Sequence, residues 1–342
     1  MDIAFGAVDH LDQQNRAHHA TYDDRLRLIQ RYDEAGFYAY HLTEHHFTPL
    51  GLAPSPNLFL AAASRLTTRL RLATLVYVMT TYHPLRLAEE ICMLDQLSHG
   101  RLEIGTGRGI SPFEIGYFGV DHLESRAINR EAWAVVEQAL TRQVVNFDGK
   151  YFQCHDVPFV MRPLQQPHPP LWQAPGTAEG VALCARANIS CAFNRPANVT
   201  KPLTDLYKRV WTETHGASGK EMPKLAVGAH LFIDDNEARA KERAQFGYAG
   251  WYRSFAELWR RFVPMIPAQD VPGAGRQRLI IAGTPAQVRA EIETLVSECG
   301  ANYFLARFAY GDLTFEESAA SLGRFVDDVM PHFAAEAPRA AG

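Results

Sequence analysis

The chain has 342 residues, 47% of them hydrophobic and 21% charged, with a formal net charge of -4. That balance belongs to a folded globular protein and excludes a disordered one. The small negative charge provides no basic surface for nucleic acid or membrane, and 5 scattered cysteines without a CxxC pair provide neither a disulfide framework nor a zinc-thiolate site.

The first residues form an apolar, strand-like run. No basic segment precedes an apolar stretch, and no uncharged run reaches membrane-spanning length. A cytoplasmic protein is the expectation.

From there two periods alternate. Residues 3–8 predict a strand and 25–35 an amphipathic helix closed by Gly36. A short strand over 38–42 precedes a helix over 57–66, and residues 72–79 read as one continuous apolar strand. A helix over 85–97 ends at Gly100, and residues 102–104 form the next strand. Residues 125–140 predict a helix, 170–173 a strand, 178–187 a helix and 189–193 a strand. Residues 203–214 are helical in pattern, 225–233 strongly strand-like. A helix over 284–298, a strand over 303–308 and a helix over 315–330 complete the order.

Strands alternating with helices argue for a parallel sheet, and almost continuously apolar strands argue that both its faces are covered. Eight such units begin near residues 3, 38, 72, 102, 170, 189, 225 and 303, with no linker between halves. This favours a closed (β/α)₈ TIM barrel over an open doubly wound sheet. The expected organisation is one domain over residues 1–333 and a flexible tail over 334–342. Two stretches break the rhythm. Residues 141–169 read as a hairpin insertion. Residues 244–278 carry Trp251, Tyr252, Trp259 and Phe262, then a Pro/Gly-rich run through Pro264, Pro267, Pro272 and Gly275. That length suits a lid over a site, or a surface excursion packed back on the barrel.

Three clusters fall at strand ends, where parallel barrels carry their chemistry. The first is His41-Leu42-Thr43-Glu44-His45-His46-Phe47. Its HxxEH spacing matches a zinc-protease pattern, but that motif needs a helix, on which residues four apart share a face. Here it leaves a strand, so no metal site is expected. A structural role for Glu44 and one histidine beneath a loop stays open. The second is the GxGxG turn Gly105-Thr106-Gly107-Arg108-Gly109, in which Arg108 can meet an anion through its fork of donors. It is neither a dinucleotide fingerprint nor a Walker loop. The third is Pro175-Gly176-Thr177-Ala178, where Thr177 is a natural helix cap and a helix start attracts anions.

On these residues the chain resembles the bacterial luciferase-like flavin monooxygenase family. The shared stretches are Glu44-His45-His46-Phe47, His83-Pro84 with Ala88-Glu89, and Leu94 through Arg101. Gly107-Arg108-Gly109, Phe118-Gly119, Ser125-Arg126 and Ile281-Ala282-Gly283-Thr284-Pro285 follow. Resemblance is dense over residues 1–130 and 279–333.

The resemblance implies a luciferase-like (β/α)₈ barrel with insertions in the late βα loops. It also implies a homodimer and bound FMN, with the deazaflavin F420 as the alternative of other branches. By position His45 resembles the active-site histidine. Arg108, Arg126, Gly176 and Thr177 resemble the groups holding the 5'-phosphate, and Leu75-Val76 falls where relatives carry a bulge or unusual peptide under the ring. Glu44, His46, Glu114 and Trp251 are further substrate or loop candidates, with Glu44 or His46 tuning His45. Gly107 stands where the luciferase has a reactive cysteine.

The implied activity is oxidation of a small or medium organic molecule by O₂ and reduced FMN, the latter supplied by a separate NAD(P)H:flavin reductase or regenerated by NAD(P)H docking transiently. An F420-dependent hydride-transfer oxidoreductase and a non-catalytic flavin-binding partner subunit are the rivals. Retention of His45 argues against the second.

Overall fold

A computed structural model of the chain describes residues 3–260, 275 and 278–333. The first half runs β1 (Ala4–Asp9), α1 (His18–Glu34), β2 (Ala39–Leu42), α2 (Pro56–Leu66), β3 (Arg71–Thr74), β4 (Tyr77–Val78), α3 (Pro84–Leu97), β5 (Leu102–Gly107), α4 (Pro112–Gly116) and α5 (Ser125–Thr141). An antiparallel hairpin of β6 (Val144–Asp148) and β7 (Gln153–Pro158) follows, as the break in rhythm predicts. The second half runs β8 (Leu171–Gln173), α6 (Ala178–Arg186), β9 (Ser190–Ala192), α7 (Ala197–His215), β10 (Leu225–Ile233), α8 (Glu237–Arg260), β11 (Ile280–Gly283), α9 (Pro285–Cys299), β12 (Tyr303–Arg307) and α10 (Phe315–Arg324).

Eight parallel strands close in the order β1, β2, β3, β5, β8, β9, β10, β12 and back to β1. These are the eight strands marked by the apolar runs. The other two barrel-side strands are accessories, β4 on β5 and β11 on β10.

The runs look continuous because alternate residues serve two cores. On β12, Phe304 and Ala306 pack outward with Phe5 and Ala7 against the helices, whereas Tyr303 and Leu305 join Trp172 and Ala226 in the barrel interior. Deep in that interior the buried Glu103 accepts hydrogen bonds from Tyr38, Trp172 and Arg71. Among the described residues no helix is long and apolar enough to cross a membrane.

The structure corrects the expected elements in three places. Helix α1 begins at His18, not near residue 25, because its first turns bury polar side chains. Thr21, Asp24 and Arg25 face inward, and Arg25 meets Asp9 at 2.9 Å, so apolar periodicity misses them.

The expected strand over 72–79 is split, since hydrophobicity reports burial and not pairing. The Leu75–Val76 peptide is cis, and residues 72 to 77 on this side face only 102 to 106 on β5. At the break Thr74 Oγ1 accepts from the Gly105 N–H at 3.1 Å and lies 3.3 Å from the Gly105 carbonyl, replacing ladder bonds that a buried backbone needs. A Cβ at Gly105 would overlap the Thr74 carbonyl oxygen.

Residues 244–260 are helical, as the second half of α8, because Ala240, Ala244 and Tyr248 bury one face against Phe232, Tyr310 and Leu313. The rest of the expected lid, residues 261–274 and 276–277, lies outside the described residues, as does the tail 334–342.

Candidate active site

All eight strands run parallel, so the segments leaving their C-terminal ends share one mouth. His10 follows β1, His45 lies beyond β2, Arg108 follows β5, Gly176 lies beyond β8, Arg195 lies beyond β9, and Arg307 ends β12. Helix α4, capped by Ser111 Oγ accepting from the Glu114 N–H at 3.2 Å, carries Glu114 into this group.

His45 Nδ1 lies 3.1 Å from Glu114 Oε1, which also accepts the His46 backbone N–H at 2.9 Å. A carboxylate accepts, so this network assigns the His45 proton to Nδ1 and leaves Nε2 unprotonated. The carboxylate at 9% side-chain exposure thus fixes both the ring and the backbone beside it.

Among the described residues Glu44 makes no hydrogen bond to His45, against the expectation that it tunes that ring. It is buried and spends its oxygens elsewhere. Oε1 meets His46 Nε2 at 2.8 Å, while Oε2 accepts from the Tyr82 hydroxyl at 2.8 Å and the Val78 N–H at 3.2 Å. Glu44 and His46 therefore tie the β2 exit to β4 and its following turn. His41 points into the barrel, where its Nε2 lies 3.0 Å from the Tyr303 hydroxyl. The three side chains of the HxxEH pattern thus have separate partners, as alternation off a strand requires. Among the described residues no group of three or more His, Cys, Asp or Glu is arranged to hold a metal ion.

A second region is cationic. Arg108 NH1 lies 3.0 Å from Ser125 Oγ and 3.1 Å from the His122 ring, at the start of α5. Burial, then the charge of Arg126 beside it, lowers the Arg108 pKa. Neither arginine has a carboxylate at ion-pair distance among the described residues, and like charges held close make a site that an anion relieves. Thr177 caps α6, accepting from the Gly180 N–H at 3.2 Å, and β8 lies directly beside β5. Sequence reasoning missed Arg195. A Cβ on Gly176 would come within 3.1 Å of its guanidinium, so Gly176 leaves that cation room over the helix start.

A third group was also missed. His10 stacks on His45 with centroids 5.6 Å apart and meets Trp251 at 5.6 Å. Arg307 NH1 donates to His230 Nε2 at 3.0 Å, and the His230 Nδ1–H donates to the Leu279 carbonyl at 3.1 Å. Burial first, then Arg307, holds His10 and His230 well below the usual histidine pKa, so both are neutral. The signal was available, because His10 and Arg307 are polar residues at the C-terminal limits of strongly apolar strands. Trp251 belongs to this cluster from α8, not from a loop.

A closed parallel barrel with its polar groups gathered at one mouth is a scaffold for ligand chemistry. The chain belongs to the luciferase-like monooxygenase family, whose model matches residues 1–302. It is 37% identical over 323 residues to the protein y4wF of Sinorhizobium fredii, covering 92% of this chain and 93% of that one. It is 27% identical over 348 residues to the oxygenase component of a flavin-dependent trigonelline monooxygenase from Acinetobacter baylyi, covering 94% and 92%. The crystal structure of the monooxygenase RslO1 from Streptomyces bottropensis superposes with a TM-score of 0.88 at 27% identity, covering 97% of this chain and 100% of that one.

Proposed function

We propose that the protein is an FMN-dependent monooxygenase that uses reduced flavin and O₂ to oxidise a small or medium organic substrate. The observation carrying this reading is that Arg108, at the exit of β5 and under the charge of Arg126, and the capped start of α6, at the exit of the neighbouring β8, open on the same barrel mouth as the His45–Glu114 pair. The donor set fits FMN. A phosphate monoester suits convergent guanidinium groups and helix N–H groups, and Gly176 keeps the approach open.

Arg108, Arg126, Gly176 and Thr177 would hold the phosphate, with Arg195 added from the structure. Leu75 and Val76 would line the ring. When bound, the reduced flavin supplies the electrons that activate O₂, which ordinary side chains cannot do. His45 holds or moves the proton at Nε2, Glu114 orients it, and Trp251 with α8 excludes water from one side.

This reading takes residues 1–333 as one working unit, a cytoplasmic homodimer that receives reduced flavin from a separate reductase. The A. baylyi relative, described as an oxygenase component, supports that division of labour. Titrating the purified protein with FMN and with F420, followed by visible absorbance, tests the proposal. Saturable FMN binding is the expected result. Tight F420 binding without FMN binding would overturn it in favour of a hydride-transfer oxidoreductase.

A further inference from the structure

Three buried nitrogens gathered about Trp251 have no hydrogen-bond partner among the described residues: Trp251 Nε1, Arg307 Nε and His10 Nδ1. Trp251 is the hub. Its ring meets His10 at 5.6 Å and His230 at 4.7 Å, and the Arg307 guanidinium lies 5.7 Å from it. An indole N–H and a guanidinium N–H can only donate, so two of the three atoms require an acceptor.

The cluster also carries charge. Burial lowers the Arg307 pKa to about 10, which leaves it a cation at neutral pH. Among the described residues no carboxylate reaches it at ion-pair distance. Asp9 and Asp12 act on it only through space, and both face Arg25, Asp9 at 2.9 Å and Asp12 at 3.7 Å. His230 is neutral and accepts from Arg307, so it offers no countercharge. A buried cation with a free N–H beside two further unpartnered nitrogens is a site for an anionic, planar acceptor.

This is not the phosphate region. In the ring of strands β12 stands four strands from β5, so Arg307 and Arg108 occupy opposite sides of the mouth. The cluster does adjoin His45, on which His10 stacks.

We infer that His10, Trp251 and Arg307 form the substrate-anchoring subsite and that the substrate is an organic carboxylate, its acid group held by Arg307 and Trp251 while its body lies towards His45. The inference rests on the flavin reading above but has its own readout.

Calorimetric titration tests it, with acetate, octanoate, benzoate and nicotinate compared with their neutral amides, with and without FMN. At least one carboxylate is expected to bind at least tenfold more tightly than its amide. Arg307→Met removes that preference, Trp251→Phe weakens the same carboxylate severalfold, and FMN affinity stays unchanged in both variants. The inference is overturned if no acid is preferred over its amide, if the preference survives Arg307→Met, or if FMN binding falls in parallel with acid binding. Should Arg307→Met fail to fold, Trp251→Phe decides alone, and unchanged acid affinity there overturns the inference. Loss of FMN binding by the wild type with the acid preference intact would sink the flavin reading and leave this one standing.

Discussion

Glu114 grips His45 and the backbone of His46 with one oxygen, at 3.1 Å from the imidazole and 2.9 Å from the amide. The two residues lie 69 positions apart and meet because α4 folds back over the exit of β2.

Glu114→Gln retains a carbonyl oxygen that can still accept from both N–H groups, whereas Glu114→Leu removes the acceptor that fixes the His45 tautomer. Oxidation of substrate with reduced flavin should fall roughly 10- to 100-fold in Glu114→Leu, the usual effect of losing an orienting partner. His45→Ala should cost roughly 10²- to 10⁴-fold. Nitrogen NMR of histidine-labelled protein should show a spectrum close to wild type in Glu114→Gln and a changed tautomer balance, with the fold intact, in Glu114→Leu. A wild-type spectrum in that variant would refute the positioning role.

Arg108→Met removes one charged donor from the proposed phosphate region. Charge-assisted hydrogen bonds contribute about 1.5–3 kcal/mol, so FMN should bind roughly 10- to 150-fold more weakly. Riboflavin, which lacks the phosphate, should bind equally to wild type and variant. Equal losses for both ligands would place Arg108 away from the phosphate.

His41 gives a pH dependence of stability. Burial, with Lys224 adding to it, lowers its pKa from 6.5 to about 3. The unfolded chain therefore binds a proton that the folded chain refuses, and the contribution present above pH 6.5 is lost as pH falls towards 3. By pH 5 the loss from this residue is about 2 kcal/mol. His41→Gln should flatten the fall in Tm between pH 6.5 and pH 5, measured by calorimetry. A slope identical to wild type would contradict it.

Gly105→Ala drives a methyl into the Thr74 carbonyl oxygen at the β3–β5 break. Overpacking against backbone costs about 1–3 kcal/mol, lowering Tm by roughly 1–4 °C. Gly116→Ala is the control, since nothing lies within 4 Å of the added carbon. Equal melting of both variants would remove the packing argument for Gly105.

The sequence by itself determined the barrel. A strand buried on both faces must be apolar at nearly every position, so eight runs announced eight strands, and β10 appeared with its observed bounds. Local chemistry was equally plain where it depends on neighbours in the chain, as in the Thr177 cap. Tyr248, Trp251, Tyr252 and Phe255 already carried helical spacing, but the proline-rich run after them drew the whole stretch into a loop reading.

Only the tertiary structure decided the partners. Chain proximity offered Glu44 to His45, whereas side chains leaving a strand diverge and Glu44 turned to His46. Glu114 for His45, Arg195 for Gly176, and Arg307 with His10 about Trp251 are pairings between distant segments of the chain. They exist because barrel closure brings the C-terminal ends of all strands to one mouth, and no local pattern encodes which segments then touch.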